Sequence, residues 1–144
     1  ASTGAALAYR GVRAEGRGAM PRRKSVSIKR VYEPPAAADG TRVLVDRLWP
    51  RGLAKDKAKI DHWLRDVAPS NELRRWFGHD PARWQEFCRR YAAEIDLRPD
   101  ALDELAAICR AGPATLLFAA HDTEHNNAVA LAALLARRPK RRGG

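Results

Sequence analysis

Residues 114–135, ATLLFAAHDTEHNNAVALAALL, constrain the fold of this chain more than any other stretch. They begin with a short apolar run at 114–120 that predicts a buried strand, and they end with an apolar segment whose spacing predicts a helix. Between the two lies a polar turn that contains His121 and His125. A buried strand that leads through a short turn into a helix is typical of α/β proteins. Most of the candidate chemistry lies on this turn.

A second apolar run, residues 43–45, is also followed by a polar turn, DRLWPRG at 46–52. We predict a strand over 42–48, which Pro50 and Gly52 would end. Residues 25–32 alternate between apolar and polar side chains and predict a half-buried strand. Helical spacing predicts helices over 60–67 and 81–97, from Pro99 to Gly112, and from about Glu124 to Arg137.

The two strands that precede the polar turns are separated by a long connection that is predicted to be mainly helical. Such a connection usually returns the chain parallel to its earlier strand in the same sheet. The carboxyl ends of parallel strands share one edge, and ligands of open α/β sheets bind just beyond it. The sequence therefore predicts that two groups of polar residues meet there: Asp46, Arg47 and Arg51 from one turn, and His121, Asp122, His125, Asn126 and Asn127 from the other.

These residue types favour a pocket for an anion. Backbone N–H groups at a helix start attract negative charge, and guanidinium groups such as those of Arg47 and Arg51 bind phosphate or carboxylate in a bidentate manner. Trp49 would add a flat apolar wall. Asp46 with His121 or His125 would form an acid/base pair, and these three are the candidate catalytic residues. For each residue a structural role as a helix cap, an ion pair or core packing stays open.

His121 to His125 also match the letters of the H-x-x-E-H metallopeptidase pattern, which needs both histidines on one helix face. Here the pattern spans a strand end and a helix start, so we expect no metal site. Cys88 and Cys109 lie in helical patterns without metal-ligand spacing, and we expect two reduced thiols. The residues do not identify a cofactor.

The net charge of +10 is confined to the two ends of the chain. Residues 1–24 carry six basic side chains and one acidic one, and residues 137–144 carry five basic side chains; residues 25–136 then hold 16 of each sign. We expect two basic, disordered extensions around a single domain at 25–136. Such extensions attract polyanions without regard to sequence, so weak nucleic-acid contact through them is an alternative function.

The chain has no apolar run of the roughly 18 residues that a membrane span needs. Residues 1–19 lack the features of a signal peptide, and the first methionine is Met20. We therefore expect a cytoplasmic protein whose natural start is Met20, with residues 1–19 as upstream sequence.

Three stretches resemble the YeaO-like family, a branch of the proteins filed as domain of unknown function 488. They are VLVDRLWPRGL at 43–53, LRRWFGHDPARWQEF at 73–87 and TLLFAAHDTEHNNAVAL at 115–131, and the resemblance covers about residues 26–136. It implies a small cytoplasmic bacterial α/β protein without an established activity. The family's motif positions fall on Asp46, Arg47, Trp49, Pro50, Arg51, Gly52, Trp76, Phe77, Gly78, His79, Asp80, Trp84, His121, Asp122, His125, Asn126 and Asn127. The resemblance thereby adds His79 to the candidate ligand-binding residues.

The expected fold is a three-layer α/β domain with a short, mainly parallel sheet flanked by helices. The expected function is the binding of a small anionic ligand, a nucleotide or a phosphorylated metabolite, at the carboxyl edge of the sheet. The sequence leaves open whether the protein is an enzyme.

Overall fold

The computed structural model describes residues 26–137. The expected disordered extension at 1–24 and all but the first residue of the C-terminal tail lie outside the described residues. Within this range the chain forms the strands Val26–Arg30 (β1), Thr41–Leu44 (β2), His62–Trp63 (β3) and Ala114–Phe118 (β4). Its α-helices are Lys55–Ala58 (α1), Asn71–Phe77 (α2), Trp84–Asp96 (α3), Pro99–Ala111 (α4) and Asn127–Arg137 (α5). None of these helices is long and apolar enough to cross a membrane.

The strands form one sheet in the order β1-β4-β2-β3, and every neighbouring pair is parallel. Val43 is aligned with Leu116 between β2 and β4, and Ile28 is aligned with Leu116 between β1 and β4. The predicted α/β class and the parallel pairing of the two central strands are therefore confirmed. Their carboxyl ends lie next to each other at one edge of the sheet.

The two faces of the sheet carry cores of different size. Alternate residues of the central strands, such as Val43 and Leu116, face the larger core, and Leu44 and Leu117 face the smaller one. The buried residues of α2, α3 and α5 belong to the larger core, as do Leu105 and Cys109 of α4. The smaller core is covered by residues of the segment that follows β2: Trp49, Leu53, Ile60 and Trp63.

The predicted helix over 60–67 is wrong. This segment contains β3 and a short 3-10 turn, Arg65–Val67. Its backbone pairs with β2, because Leu64 donates an N–H to the carbonyl of Leu44 at 3.0 Å. Trp63 packs in the smaller core, whereas Val67 is buried in the larger one. Helical spacing marked these residues as buried, but they are buried on opposite sides of the sheet.

The predicted strands are longer than those observed. The strand expected over 42–48 covers residues 41–44, and the strand expected over 114–120 ends at 118. The predicted helix over 81–97 agrees better with the structure, which has a 3-10 turn at Pro81–Arg83 followed directly by α3. Asp80 caps the 3-10 turn that leads into α3 by accepting the N–H of Ala82, and Gly78 ends α2 with a φ of 54°.

Charged groups are buried at the amino edge of the sheet, opposite the polar turns. The guanidinium of Arg42, 3% exposed, donates to the Asp39 carboxylate at 2.5 Å and to the carbonyl of Ala58 at 2.8 Å. Lys29 donates to the same carboxylate at 3.0 Å. Burial acts to raise the pKa of Asp39, but these cations and the N–H of Ala36 hold it below its ordinary value. This cluster fastens the start of β2 to β1 and α1.

Candidate functional site

The site begins where β2 and β4 separate. The last backbone bond between them runs from the N–H of Val45 to the carbonyl of Leu117 at 3.2 Å. The next N–H, that of Ala119, donates instead to Oδ2 of Asp46 at 2.9 Å, and the carbonyl of Val45 accepts from the side chain of Asn127 at 2.9 Å. Two side chains thus replace the sheet pairing. This explains why both strands end earlier than predicted and why a crevice opens at this edge.

Asp46 is held firmly at the base of this crevice. Its Oδ1 accepts a hydrogen bond from Nδ2 of Asn127 at 3.0 Å, so each carboxylate oxygen has a protein donor. Its backbone carbonyl accepts from the indole N–H of Trp63 at 2.8 Å. Burial raises the pKa of Asp46, although the bonds from Asn127 and Ala119 and the charge of Arg74 oppose that shift.

The crevice forms a cavity of about 330 Å³ beyond the sheet edge. Seven of the ten residues predicted from the sequence line it, and they come from three separate segments of the chain. These seven are Asp46, Arg47, Trp49, His79, His125, Asn126 and Asn127. Arg51, His121 and Asp122 are not part of the lining. Parallel pairing therefore brings the two polar turns together, with His79 reaching the same cavity from the end of α2.

Two arginines that the sequence reasoning did not select, Arg74 and Arg75, also line the cavity. Both lie on α2, which packs against α3. The Arg74 side chain donates to the side chain of Asn71 at 3.1 Å, whereas the Arg75 side chain has no hydrogen bond or ion pair within residues 26–137. Arg47 makes one long bond, 3.4 Å, to the carbonyl of Pro69. The sequence feature from which these two arginines could have been selected is the LRRWF stretch at 73–77.

Arg51 lies on the exposed turn after the second strand, and its carbonyl accepts a hydrogen bond from the Tyr32 hydroxyl at 2.9 Å. Trp49 lines the cavity but also packs in the smaller core, edge-on to Trp63 with ring centres 5.4 Å apart. Its indole N–H donates to the carbonyl of Leu53 at 2.7 Å. Trp49 thus has a structural role in addition to its place in the cavity wall.

The turn after β4 is organised by Asp122. Its Oδ1 accepts the N–H groups of Glu124 at 2.8 Å and His125 at 2.9 Å, and its Oδ2 lies 2.9 Å from Nδ1 of His125. Burial acts to raise the pKa of Asp122, but these hydrogen bonds lower it overall. Although Asp122 is not part of the lining, it holds the His125 ring at the cavity wall. There the ring meets Trp84 edge-on, with ring centres 5.2 Å apart.

The helix after this turn begins at Asn127, and not near Glu124 as predicted. Asn126, 3% exposed, caps it by accepting the N–H of Val129 at 3.0 Å, and its amide donates to the carbonyl of Asp122 at 2.9 Å. One N–H of the helix start, which we expected to face an anion, is therefore already occupied by a protein side chain.

The metallopeptidase arrangement is not formed, because residues 121–125 lie in the turn and not on a helix. His121 is exposed on the turn, outside the lining. Among residues 26–137 no group of three His, Cys, Asp or Glu side chains could hold a metal ion.

His79 follows the glycine cap of α2 and has a φ of 58°. Its ring is exposed and lies 6.3 Å from that of Phe77. Phe77 in turn stacks on Phe87, with ring centres 4.5 Å apart, and both line the cavity. The cavity thus combines a cationic wall with an aromatic one.

A family model described as "Inactive DUF488-N3 subclade" matches residues 25–143. The chain belongs to this DUF488 family. The match spans the whole described region and all three stretches on which the predicted resemblance rested, so the predicted family is confirmed.

Two relatives illustrate the family. The chain is 40% identical over 108 residues to the "Uncharacterized protein YeaO" of Escherichia coli, which covers 75% of this chain and 94% of that protein. It is 42% identical over 116 residues to the "Uncharacterized protein Rv3073c" of Mycobacterium tuberculosis, covering 81% and 98%. No solved structure matches the chain.

Proposed function

We propose that this protein binds a small anionic ligand, a nucleotide or a phosphorylated metabolite, in the cavity at the carboxyl edge of its sheet. The observation that carries the proposal is the charge of the described lining. Arg47, Arg74 and Arg75 face one acidic residue, Asp46, whose two oxygens already accept protein hydrogen bonds. Arg75 lacks a protein acceptor in the described part of the chain. An anion would supply the acceptors for these guanidinium groups.

The rest of the lining supports a ligand that also carries an apolar or aromatic part. Trp49, Phe77 and Phe87 provide ring surfaces beside the arginines. The cavity volume of about 330 Å³ is at the lower end of the range for small-molecule sites, about 300–1,000 Å³. A compact metabolite suits this space better than a dinucleotide.

Two observations favour binding over catalysis. The description of the family uses the word "inactive". In addition, Asp46 is bound by Ala119 and Asn127, as expected of a residue that shapes the site. Proton transfer by Asp46, His121 and His125 stays a prediction, and of these His121 lies outside the lining.

A thermal-shift screen of the full chain with nucleotides, phosphorylated sugars and carboxylates tests the proposal. A ligand at 100 times its dissociation constant stabilises the folded state by about 2.7 kcal/mol, a readily measured shift. The variants Arg47→Ala and Arg75→Ala should each weaken binding about 10- to 100-fold, because each removes a charge-assisted hydrogen bond worth about 1.5–3 kcal/mol.

The matched control is Arg110→Ala, since Arg110 is an exposed helix arginine that is not part of the lining. It should leave the ligand-induced shift unchanged. The proposal would be contradicted if none of the anions shifts the melting temperature. It would also be contradicted if an anion does so and Arg47→Ala and Arg75→Ala do not weaken its binding.

The alternative function is non-specific nucleic-acid contact through the basic segments at 1–24 and 137–144. Its support is that all of the excess charge lies in these two segments. Replacing their Arg and Lys residues with Gln should then abolish binding to DNA or RNA, whereas Arg75→Ala should not affect it. Binding that survives the replacements would rule against the segments.

A further inference from the structure

We propose that His125 takes up a proton when the anion binds, and that Asp122 is the positioning residue for this step. The inference rests on the proposed function, because it concerns how the same cavity holds its ligand. It adds a chemical requirement: the cavity binds a negatively charged group together with a proton.

The orientation of the His125 ring follows from its contacts with the turn. Nδ1 lies 2.9 Å from Oδ2 of Asp122, so this nitrogen is assigned as the donor to the carboxylate. Asp122 is itself fixed by the N–H groups of Glu124 and His125. Trp84 meets the ring edge-on. The ring is therefore held on two sides.

The other ring nitrogen, Nε2, makes no hydrogen bond within residues 26–137. With Nδ1–H directed at Asp122, a neutral His125 carries a lone pair on Nε2, which an anion would repel. A protonated ring carries an N–H there and can donate to the anion. Only the protonated form of His125 thus contributes to anion binding.

The surrounding charges make this protonation depend on the ligand. Asp122 lies against the ring on the same turn, and the described groups that share the cavity lining with His125 are Asp46, Arg47, Arg74, Arg75 and His79. A bound anion adds a negative charge beside a ring whose Nδ1 already lies against the Asp122 carboxylate, so the anion favours the protonated ring. Anion binding and proton uptake are therefore coupled.

The test uses sulfate, a dianion that does not itself titrate near neutral pH. Isothermal titration calorimetry of the full chain, in two buffers with different ionisation enthalpies, gives the number of protons taken up per sulfate bound. We expect net uptake of up to one proton near neutral pH. The affinity should rise as the pH falls, by up to about tenfold per pH unit.

His125→Gln should remove the proton uptake and flatten the pH profile while leaving weaker sulfate binding. Asp122→Asn should move the uptake to lower pH, because it removes the negative charge beside the ring. His62→Gln, which changes an exposed histidine on β3 outside the lining, should alter neither quantity.

The possible failures are distinguishable. Sulfate binding without proton uptake, or uptake that persists in His125→Gln, would overturn this inference and leave the proposed function standing. If sulfate does not bind, or binds independently of Arg47 and Arg75, both this inference and the proposed function would be overturned.

Discussion

Asn127 holds the carboxylate of Asp46 at the base of the cavity, and Asn127→Ala should therefore destabilise the protein in a pH-dependent way. The Asn127 amide donates to Oδ1 of Asp46 at 3.0 Å and to the carbonyl of Val45 at 2.9 Å. A hydrogen bond to a charged group contributes about 1.5–3 kcal/mol and one to a neutral group about 0.5–1.5 kcal/mol. The variant should lose about 2–4 kcal/mol of unfolding free energy at about pH 7.

The sign of the pH dependence follows from the raised pKa of Asp46. The native state holds the Asp46 proton more tightly than the unfolded state does. The contribution of Asp46 to stability therefore falls as the pH rises from the ordinary carboxyl pKa to the raised native one. Removing the Asn127 donor raises that pKa further, so the variant should lose more stability over this interval than the native protein. Below it the carboxyl group is neutral, and the hydrogen bond from Asn127 contributes only as much as one between neutral groups.

Urea unfolding at about pH 4 and about pH 7, followed by tryptophan fluorescence, gives both free energies. The deficit of Asn127→Ala should be about 2–4 kcal/mol at the higher pH and smaller, about 1–3 kcal/mol, at the lower one. Asn126→Ala is the control, because within residues 26–137 the Asn126 side chain bonds only to backbone groups, at Asp122 and Val129. Its deficit should be about 1–2 kcal/mol at either pH. An equal loss for Asn127→Ala at the two pH values would refute the reasoning about Asp46.

Two further predictions concern the amino edge of the sheet. Asp39→Ala leaves the buried Arg42 guanidinium without its carboxylate partner. It should lower the free energy of unfolding, measured with urea, by about 3–5 kcal/mol. A loss below about 1 kcal/mol would show that the carbonyl of Ala58 is a sufficient partner for Arg42. Gly40 has a φ of 65°, and a Cβ there would lie 2.3 Å from the Pro113 carbonyl oxygen. Gly40→Ala should therefore lower the melting temperature sharply, and Gly112→Ala, where a Cβ meets nothing within 4 Å, should not; equal melting temperatures would contradict the steric account.

The central arrangement of the fold could be read from the sequence. Two apolar runs separated by helical segments predicted parallel neighbours, because a crossover of that length returns the chain in the same direction. That pairing alone brings Asp46 close to Asn127, 81 positions apart, where they share a hydrogen bond. The caps at Ser70 and Asp80 are also local features, since each of these side chains binds a backbone N–H two or three residues further along the chain.

The sequence could not assign the segment at 60–67, because its spacing marks positions as buried without saying on which side of the sheet. Trp63 packs against the smaller core and Val67 is buried in the larger one, and backbone pairing with β2 makes the segment a strand and a turn. A local pattern carries no information about such pairing.

Tertiary structure likewise decides which residues line the cavity. Arg74 and Arg75 line the cavity from α2, which packs against α3. Arg51 and His121, each within five positions of a lining residue, lie outside the lining. The sequence determined which residues follow the strands, since strand ends are local features. Which of their side chains line the cavity depends on the packing of helices from distant parts of the chain, and only the folded structure decides that.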